Sequence, residues 1–103
     1  MPITKSVLDN GRGITLKVSG RFDLLLNRDL QKAYSGTARP GMIYRIDLAD
    51  VSYIDSSALD LIISLHQYAS QHGAKVKLIN PSPVASKALE LALFNDSFDI
   101  RHE

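Results

Sequence analysis

The chain has no cysteine, and this absence removes several classes of function at once. Disulfide stapling, thiolate catalysis and zinc sites with cysteine ligands all depend on that residue. The chain also lacks an excess of either charge, because 12 Lys and Arg residues are scattered among 11 Asp and Glu residues. A net charge of +1 creates no field that would draw the protein to nucleic acid or to a membrane surface.

Apolar runs long enough to cross a bilayer are missing too. The longest near-apolar stretch, 58–65, is interrupted by Asp60 and Ser64, and it is far shorter than the roughly 20 residues of a spanning helix. The amino terminus carries no apolar block typical of a signal peptide. We therefore expect a cytoplasmic protein without membrane insertion.

What the chain does contain is the composition of an ordinary globular protein. Hydrophobic residues make up 45% of it and charged residues 22%. A length of 103 residues suits one compact domain with a modest core. We predict a single domain over residues 1–103.

The pattern of apolar residues predicts the element order β-β-α-β-α-β-α-β. The predicted strands are Ile3–Leu8, 14–18, 42–48, Lys75–Ile79 and a short one around Phe98 and Ile100. The first two flank a Gly-rich turn and should form a hairpin, whereas strands joined through helices should run parallel. Gly20-Arg21-Phe22-Asp23 leads toward the first helix, and 49–55 is a loop. The predicted fold class is α/β, a small mixed sheet with helices packed on one face.

Each predicted helix has one apolar stripe that should be buried. The stripes are Leu26, Leu30, Ala33 and Tyr34 in the first helix, Ala58, Leu61, Ile62, Leu65 and Ala69 in the second, and Val84, Ala88, Leu91 and Ala92 in the third. His72-Gly73 should end the second helix.

The most informative stretch is Asp55-Ser56-Ser57, which lies where the central strand gives way to the second helix. Asp and Ser are preferred helix caps, and losing a cap typically costs about 1 kcal/mol. A serine at a helix start can instead carry a phosphate, which the partial positive charge of the helix end tolerates. Local chemistry alone favours capping.

No arrangement of residues points to catalysis or to a bound cofactor. His66 and His72 are six residues apart on one helix, whereas a spacing of four places two metal ligands on the same face. The chain has neither a Gly-x-Ser-x-Gly elbow nor a Gly-rich phosphate loop with its lysine. We expect no enzyme activity, no metal and no cofactor.

The stretch Asp47-Leu48-x-x-Val51-x-x-Ile54-Asp55-Ser56-Ser57-x-Leu59 resembles the signature of STAS domains of the anti-sigma factor antagonist type. Three flanking segments match the same family in the expected order: Gly20-Arg21-Phe22-Asp23, then 78–83 as its fourth strand and turn, then 89–94 as its closing helix. The resemblance covers essentially the whole chain and implies the STAS fold.

The resemblance implies that Ser56, directly after the Asp, is a phosphorylation site. It further implies that the unmodified protein binds a histidine-kinase-like serine kinase that is also an anti-sigma factor, and that phosphorylation releases this partner. A PP2C-type serine phosphatase would reset the switch. Single-domain relatives with this core resemble bacterial regulators of biofilm formation, motility or cyclic-dinucleotide signalling. The partner-binding residues would be Arg21, Asp23, Asp55, Ser57 and Asp60.

Two departures from the family pattern concern Asp60 and Leu93. The family often has Gly-Leu-Gly after the serines, whereas this chain has Ala58-Leu59-Asp60. Asp60 is expected on the exposed first turn of the helix, where a kinase would approach, and we assign it to partner specificity. Leu93 stands where a glycine is common near the end of the last helix.

Two other functions fit the same residues. One is a permanently bound STAS accessory subunit, for example of a lipid-transport ABC assembly, in which Ser56 is only a cap. The other is a module that senses a nucleotide or a lipid. The run Leu24-Leu25-Leu26 either enters the core or forms an exposed docking patch, and Phe22 and Tyr53, predicted on nearby loops, leave the same choice open.

Overall fold

The described part of the chain, residues 2–103 without the side chain of Asp9, forms one five-stranded sheet in the computed structural model. Its strands, in spatial as in chain order, are β1 Ile3–Leu8, β2 Gly13–Phe22, β3 Ile43–Ile54, β4 Lys75–Ile79 and β5 Asp99–Arg101. β1 runs antiparallel to β2, and β2 to β5 run parallel to one another. The predicted hairpin and parallel connections are confirmed.

Three α-helices connect these strands within the described residues: α1 Asn27–Tyr34, α2 Ser56–Gln71 and α3 Pro83–Leu91. They cover one face of the sheet, as burial along the strands shows. Leu16, Ile46 and Leu78 lie side by side in the register and are fully buried, whereas Lys17, the next residue along β2, is partly exposed. The predicted α/β fold class, with helices on one face, is confirmed. None of the helices in this part of the chain is long and apolar enough to cross a membrane.

The stripe predicted for α2 is buried at every position, from Ala58 to Ala69. In α1, Leu30 and Tyr34 are buried and Ala33 packs against the core, as expected. A short 3-10 turn, Leu24–Leu26, precedes α1 and buries Leu26.

The stripe predicted for α3 is wrong. Ala85 and Leu89 are the buried residues, whereas Leu91 is 73% exposed and Val84 also faces solvent. The start of α3 determines which side of the helix faces the sheet. The Ser82 hydroxyl donates to the Val51 carbonyl at 2.7 Å and accepts from the Ala85 N–H. That anchor turns Ala85 toward the sheet, and Leu89 follows one turn later on the same side.

The end of α3 explains why Leu91 and Ala92 were also wrongly predicted to be buried. Leu93 adopts a left-handed conformation, with φ 61°, which ends the helical period. The chain then turns back and buries Phe94. Residues 91–93 therefore do not continue the buried face that their helical spacing suggests.

Two segments predicted as loops are strand instead. β2 continues through Phe22, and β3 continues through Ile54. β4 pairs with β3 only as far as Asp47, so beyond that point β3 is paired with β2 alone. Two register shifts interrupt this pairing, one between Lys17 and Ser19 and one between Gly20 and Arg21. These irregularities break the polar–apolar alternation, which is why the pattern of residues 49–54 did not predict a strand.

Candidate functional site

The site is built where the extended end of β3 meets the start of α2. Asp55 has an extended backbone and is the residue before the helix, and Ser56 is the first helical residue. The end of β2 lies beside this junction, with Arg21 opposite Tyr53 in the register. The carboxyl ends of two parallel strands and the amino end of a helix therefore meet here.

Asp55 is the residue that caps α2. Its Oδ1 accepts a hydrogen bond from the Ala58 N–H at 3.2 Å and one from the Ser57 hydroxyl at 2.6 Å. The Tyr53 hydroxyl reaches Oδ2 of the same carboxylate at 3.4 Å. Because these donors favour the ionised form, above all the Ser57 hydroxyl, the pKa of the Asp55 carboxyl lies below its ordinary value.

Ser56 is exposed, and its side chain does not cap α2. Its hydroxyl takes part in no hydrogen bond with the residues that the structure describes, whereas the neighbouring Ser57 hydroxyl is committed to Asp55. Position 56 also lies at the end of α2 where backbone N–H groups lack helical partners and negative charge is stabilised. A negative group attached to Ser56 would therefore be tolerated by the helix.

Arg21 and Asp23 join this junction from β2. The Arg21 guanidinium stacks on the Tyr53 ring, 4.0 Å from its centroid, and its Nε lies 3.5 Å from Asp23 Oδ2. Asp23 in turn caps the 3-10 turn by accepting from the Leu25 N–H at 3.0 Å. A chain of contacts thus runs from Asp23 through Arg21 and Tyr53 to Asp55.

Tyr53 was predicted on a loop near this end of the sheet, and its contacts with Arg21 and Asp55 were not predicted. It lies on a strand, not on a loop, and Phe22, assigned to the same kind of loop, is a fully buried strand residue. A signal was present in the sequence, because Tyr53 stands two residues before Asp55 and side chains two apart on a strand point to the same face. The loop predicted over residues 49–55 conceals this signal, because a loop has no fixed faces.

Asp60 lies farther from the junction than expected. Since α2 begins at Ser56, its first turn ends at Leu59, and the prediction that Asp60 lies on the first turn is wrong. Asp60 is exposed and forms no hydrogen bond or ion pair with the described residues.

The leucine run beside Asp23 is divided between the core and the surface. Leu26 enters the core, whereas Leu24 is exposed and Leu25 is 87% exposed. The cap from Asp23 fixes the turn that presents these two side chains to solvent. Exposed apolar side chains therefore adjoin the polar chain of contacts.

His66 and His72 form no part of this site. His72 follows α2 and lies with Nδ1 2.9 Å from the Tyr68 carbonyl oxygen, and His66 packs against Phe98. In the part of the chain that the structure describes, no three His, Cys, Asp or Glu residues are grouped so that they could hold a metal ion.

Comparison with known proteins places these features in a family. The profile of the family described as "Mlab, STAS domain" matches residues 7–100. A STAS-domain containing protein of Pseudomonas aeruginosa is 34% identical over 100 residues, which cover 97% of this chain and 99% of that protein. The anti-sigma-B factor antagonist of Bacillus subtilis is 28% identical over 100 residues, 97% of this chain and 92% of its own.

A solved structure shares the fold. The anti-sigma factor antagonist SpoIIAA, in its unphosphorylated form, superposes with a TM-score of 0.72 at 14% identity over 95% of this chain and 86% of that one. The predicted fold of antagonist-type STAS domains is confirmed by this similarity.

Proposed function

This chain belongs to the STAS domain family, and we propose that it is an anti-sigma factor antagonist-like regulator switched by phosphorylation of Ser56. The unmodified protein, a single cytoplasmic domain, binds a histidine-kinase-like serine kinase that also acts as an anti-sigma factor. That kinase transfers the γ-phosphoryl group of ATP to Ser56 Oγ, and ADP and the hydroxyl proton are released. A PP2C-type phosphatase hydrolyses the phosphoserine and restores binding. The output is control of biofilm formation or motility, and the protein itself is not an enzyme.

The observation that carries this proposal is the division of roles between Asp55 and Ser56. If Ser56 were the cap, a kinase would have to break the start of α2 to reach it. Asp55 holds the Ala58 N–H instead, and the Ser56 hydroxyl is exposed. Phosphorylation can therefore occur without loss of the cap.

Charge explains why one modification is enough to switch binding. A phosphate adds about −1.5 to −2 charge to a neighbourhood that already contains the exposed Asp60 and the Asp55 carboxylate. A thousand-fold loss of affinity needs only about 4 kcal/mol, and charge that is misplaced across an interface can cost several kcal/mol. A partner surface built for a neutral hydroxyl would reject the phosphorylated form.

The surroundings of Ser56 have the composition of a binding surface. Exposed Leu24 and Leu25 and the partly exposed Tyr53 ring lie next to the charged Arg21 and Asp23. Interfaces commonly combine an apolar, aromatic centre with a polar rim. The similarity to the anti-sigma-B factor antagonist of Bacillus subtilis supports an anti-sigma factor as the partner.

Substitutions at the two serines test the switch. Ser56→Ala should retain full affinity for the kinase partner and resist release by ATP, whereas Ser56→Asp should bind at least about tenfold more weakly. Ser57→Ala is the matched control and should still be released by ATP. Titration calorimetry with the purified partner measures all three. Equal affinity of Ser56→Ala and Ser56→Asp would favour the permanently bound accessory subunit instead.

A further inference from the structure

We propose that Arg21 receives the phosphate group carried by Ser56, and that its guanidinium leaves the Tyr53 ring to do so. The inference rests on the proposed phosphorylation of Ser56. It adds a contact within the protein. Through this contact, a phosphate on Ser56 would change the binding surface beyond the Ser56 hydroxyl itself.

The position of Arg21 is set by the irregular end of the sheet. Gly20 has φ 79°, and the register shifts between Gly20 and Arg21, so that Arg21 lies opposite Tyr53. Its guanidinium lies over the Tyr53 ring, and the hydroxyl of that ring reaches the Asp55 carboxylate. One aromatic ring therefore separates the guanidinium from the residue that precedes Ser56.

The contacts that hold Arg21 are weak ones. Its side chain is 66% exposed, and its Nε lies 3.5 Å from Asp23, beyond the usual length of a charge-assisted hydrogen bond. Exposed cation–π contacts and exposed ion pairs contribute little, since water competes for both partners. A phosphate offers a guanidinium two parallel, charge-assisted hydrogen bonds, so it should displace the ring.

A phosphate on Ser56 would have acidic neighbours, and a nearby cation such as Arg21 would offset their charge. α2 contains no Lys or Arg along its length, and the segment of β3 after Arg45 contains none either. Asp55, Asp60 and Asp23 would each repel a phosphate on Ser56. Arg21 is the basic residue that the sheet brings to this junction, and it can move without disturbing the core because its side chain is largely solvent-exposed.

The consequence concerns Tyr53. In the unmodified protein the guanidinium covers one side of the ring. Once Arg21 turns to the phosphate, that side is uncovered and the positive charge moves away from Asp23. The partner would therefore meet a changed aromatic and charged surface as well as the phosphate.

Phosphorus NMR on protein with phosphoserine installed at position 56 during translation tests the contact. A bound guanidinium favours the dianion, so the second phosphate pKa should be lower in the otherwise unaltered protein than in Arg21→Gln, by about half a unit or more. Arg21→Lys should be intermediate, because lysine keeps the charge without the bidentate geometry. Arg12→Gln, at an exposed arginine in the β1–β2 turn, is the matched control and should leave the pKa unchanged. The ring protons of Tyr53 should also shift on phosphorylation, and the shift should be lost in Arg21→Gln.

The same phosphate pKa with Arg21 and with Arg21→Gln would overturn the inference. That result would leave the proposed function intact, because the phosphoserine is installed without a kinase. Absence of phosphate on Ser56 in the native host would instead defeat the proposed function without changing the titration.

Discussion

Asp55 and Ser56 are adjacent, yet their side chains have different tasks. Local chemistry allowed any of Asp55, Ser56 and Ser57 to cap α2, since both residue types, Asp and Ser, suit that position. The hydrogen bonds assign the cap to Asp55 and make Ser57 its support. The choice of Ser56 as the modified residue came only from the family resemblance, and it remains a prediction.

Acidification should reveal which residue is the cap. At neutral pH, Asp55→Ala should lower the urea midpoint of unfolding, because the Ala58 N–H loses its acceptor. The folded pKa of Asp55 lies below the ordinary 3.8, so the contribution of the carboxylate is complete above that value and is lost as pH falls through the folded pKa. The difference between the two proteins should therefore shrink in acid. Ser56→Ala is the control, and a loss as large as that of Asp55→Ala would identify Ser56 as a cap.

Leu93 carries local backbone strain that glycine would relieve. A left-handed conformation costs a non-glycine residue about 1–2 kcal/mol, and the Leu93 side chain, 67% exposed, recovers little of this by burial. Leu93→Gly should raise the free energy of unfolding by about 1 kcal/mol. Leu91→Gly, at an equally exposed but helical residue, should lower it by up to about 1 kcal/mol. Equal effects of the two changes in urea unfolding would show that φ at Leu93 is not strained.

At the scale of elements, the strands and helices with a regular pattern of apolar residues were predicted most accurately. β4 and the stripe of α2 were predicted closely because each keeps one period and ends at a turn or a glycine, whereas β1 was delimited by the turn that follows it. The end of β3 was missed because its register shifts interrupt the alternation of a strand. α3 was misread because it has apolar residues on two faces, and the hydrogen bonds of Ser82 with Val51 and Ala85, which select between them, are not visible in the spacing of apolar residues.

Paired leucine substitutions test the rotation of α3. Leu89→Ala removes a fully buried side chain and should destabilise the protein by about 2–5 kcal/mol. Leu91→Ala removes an exposed one and should change stability by less than about 0.5 kcal/mol. Urea unfolding of both variants measures the difference. The opposite order would restore the stripe that the helical spacing predicted.

At the scale of the whole molecule, the proposed switch needs no change of fold. The site lies at one end of the sheet, on a helix start that tolerates negative charge. Ser56→Asp should therefore change the free energy of unfolding by no more than about 0.5 kcal/mol while it weakens partner binding. Thermal unfolding and calorimetric binding on the same sample check both statements. A large loss of stability would mean that modification acts by disrupting the domain.

The switch depends on phosphorylation of Ser56, and peptide mapping by mass spectrometry on protein from its native host tests that claim without any assumption about the partner. We expect phosphate on Ser56 and none on Ser57, removed by a serine phosphatase and absent from Ser56→Ala. The claim is contradicted if Ser56 stays unmodified under every growth condition in which a phenotype depends on the protein.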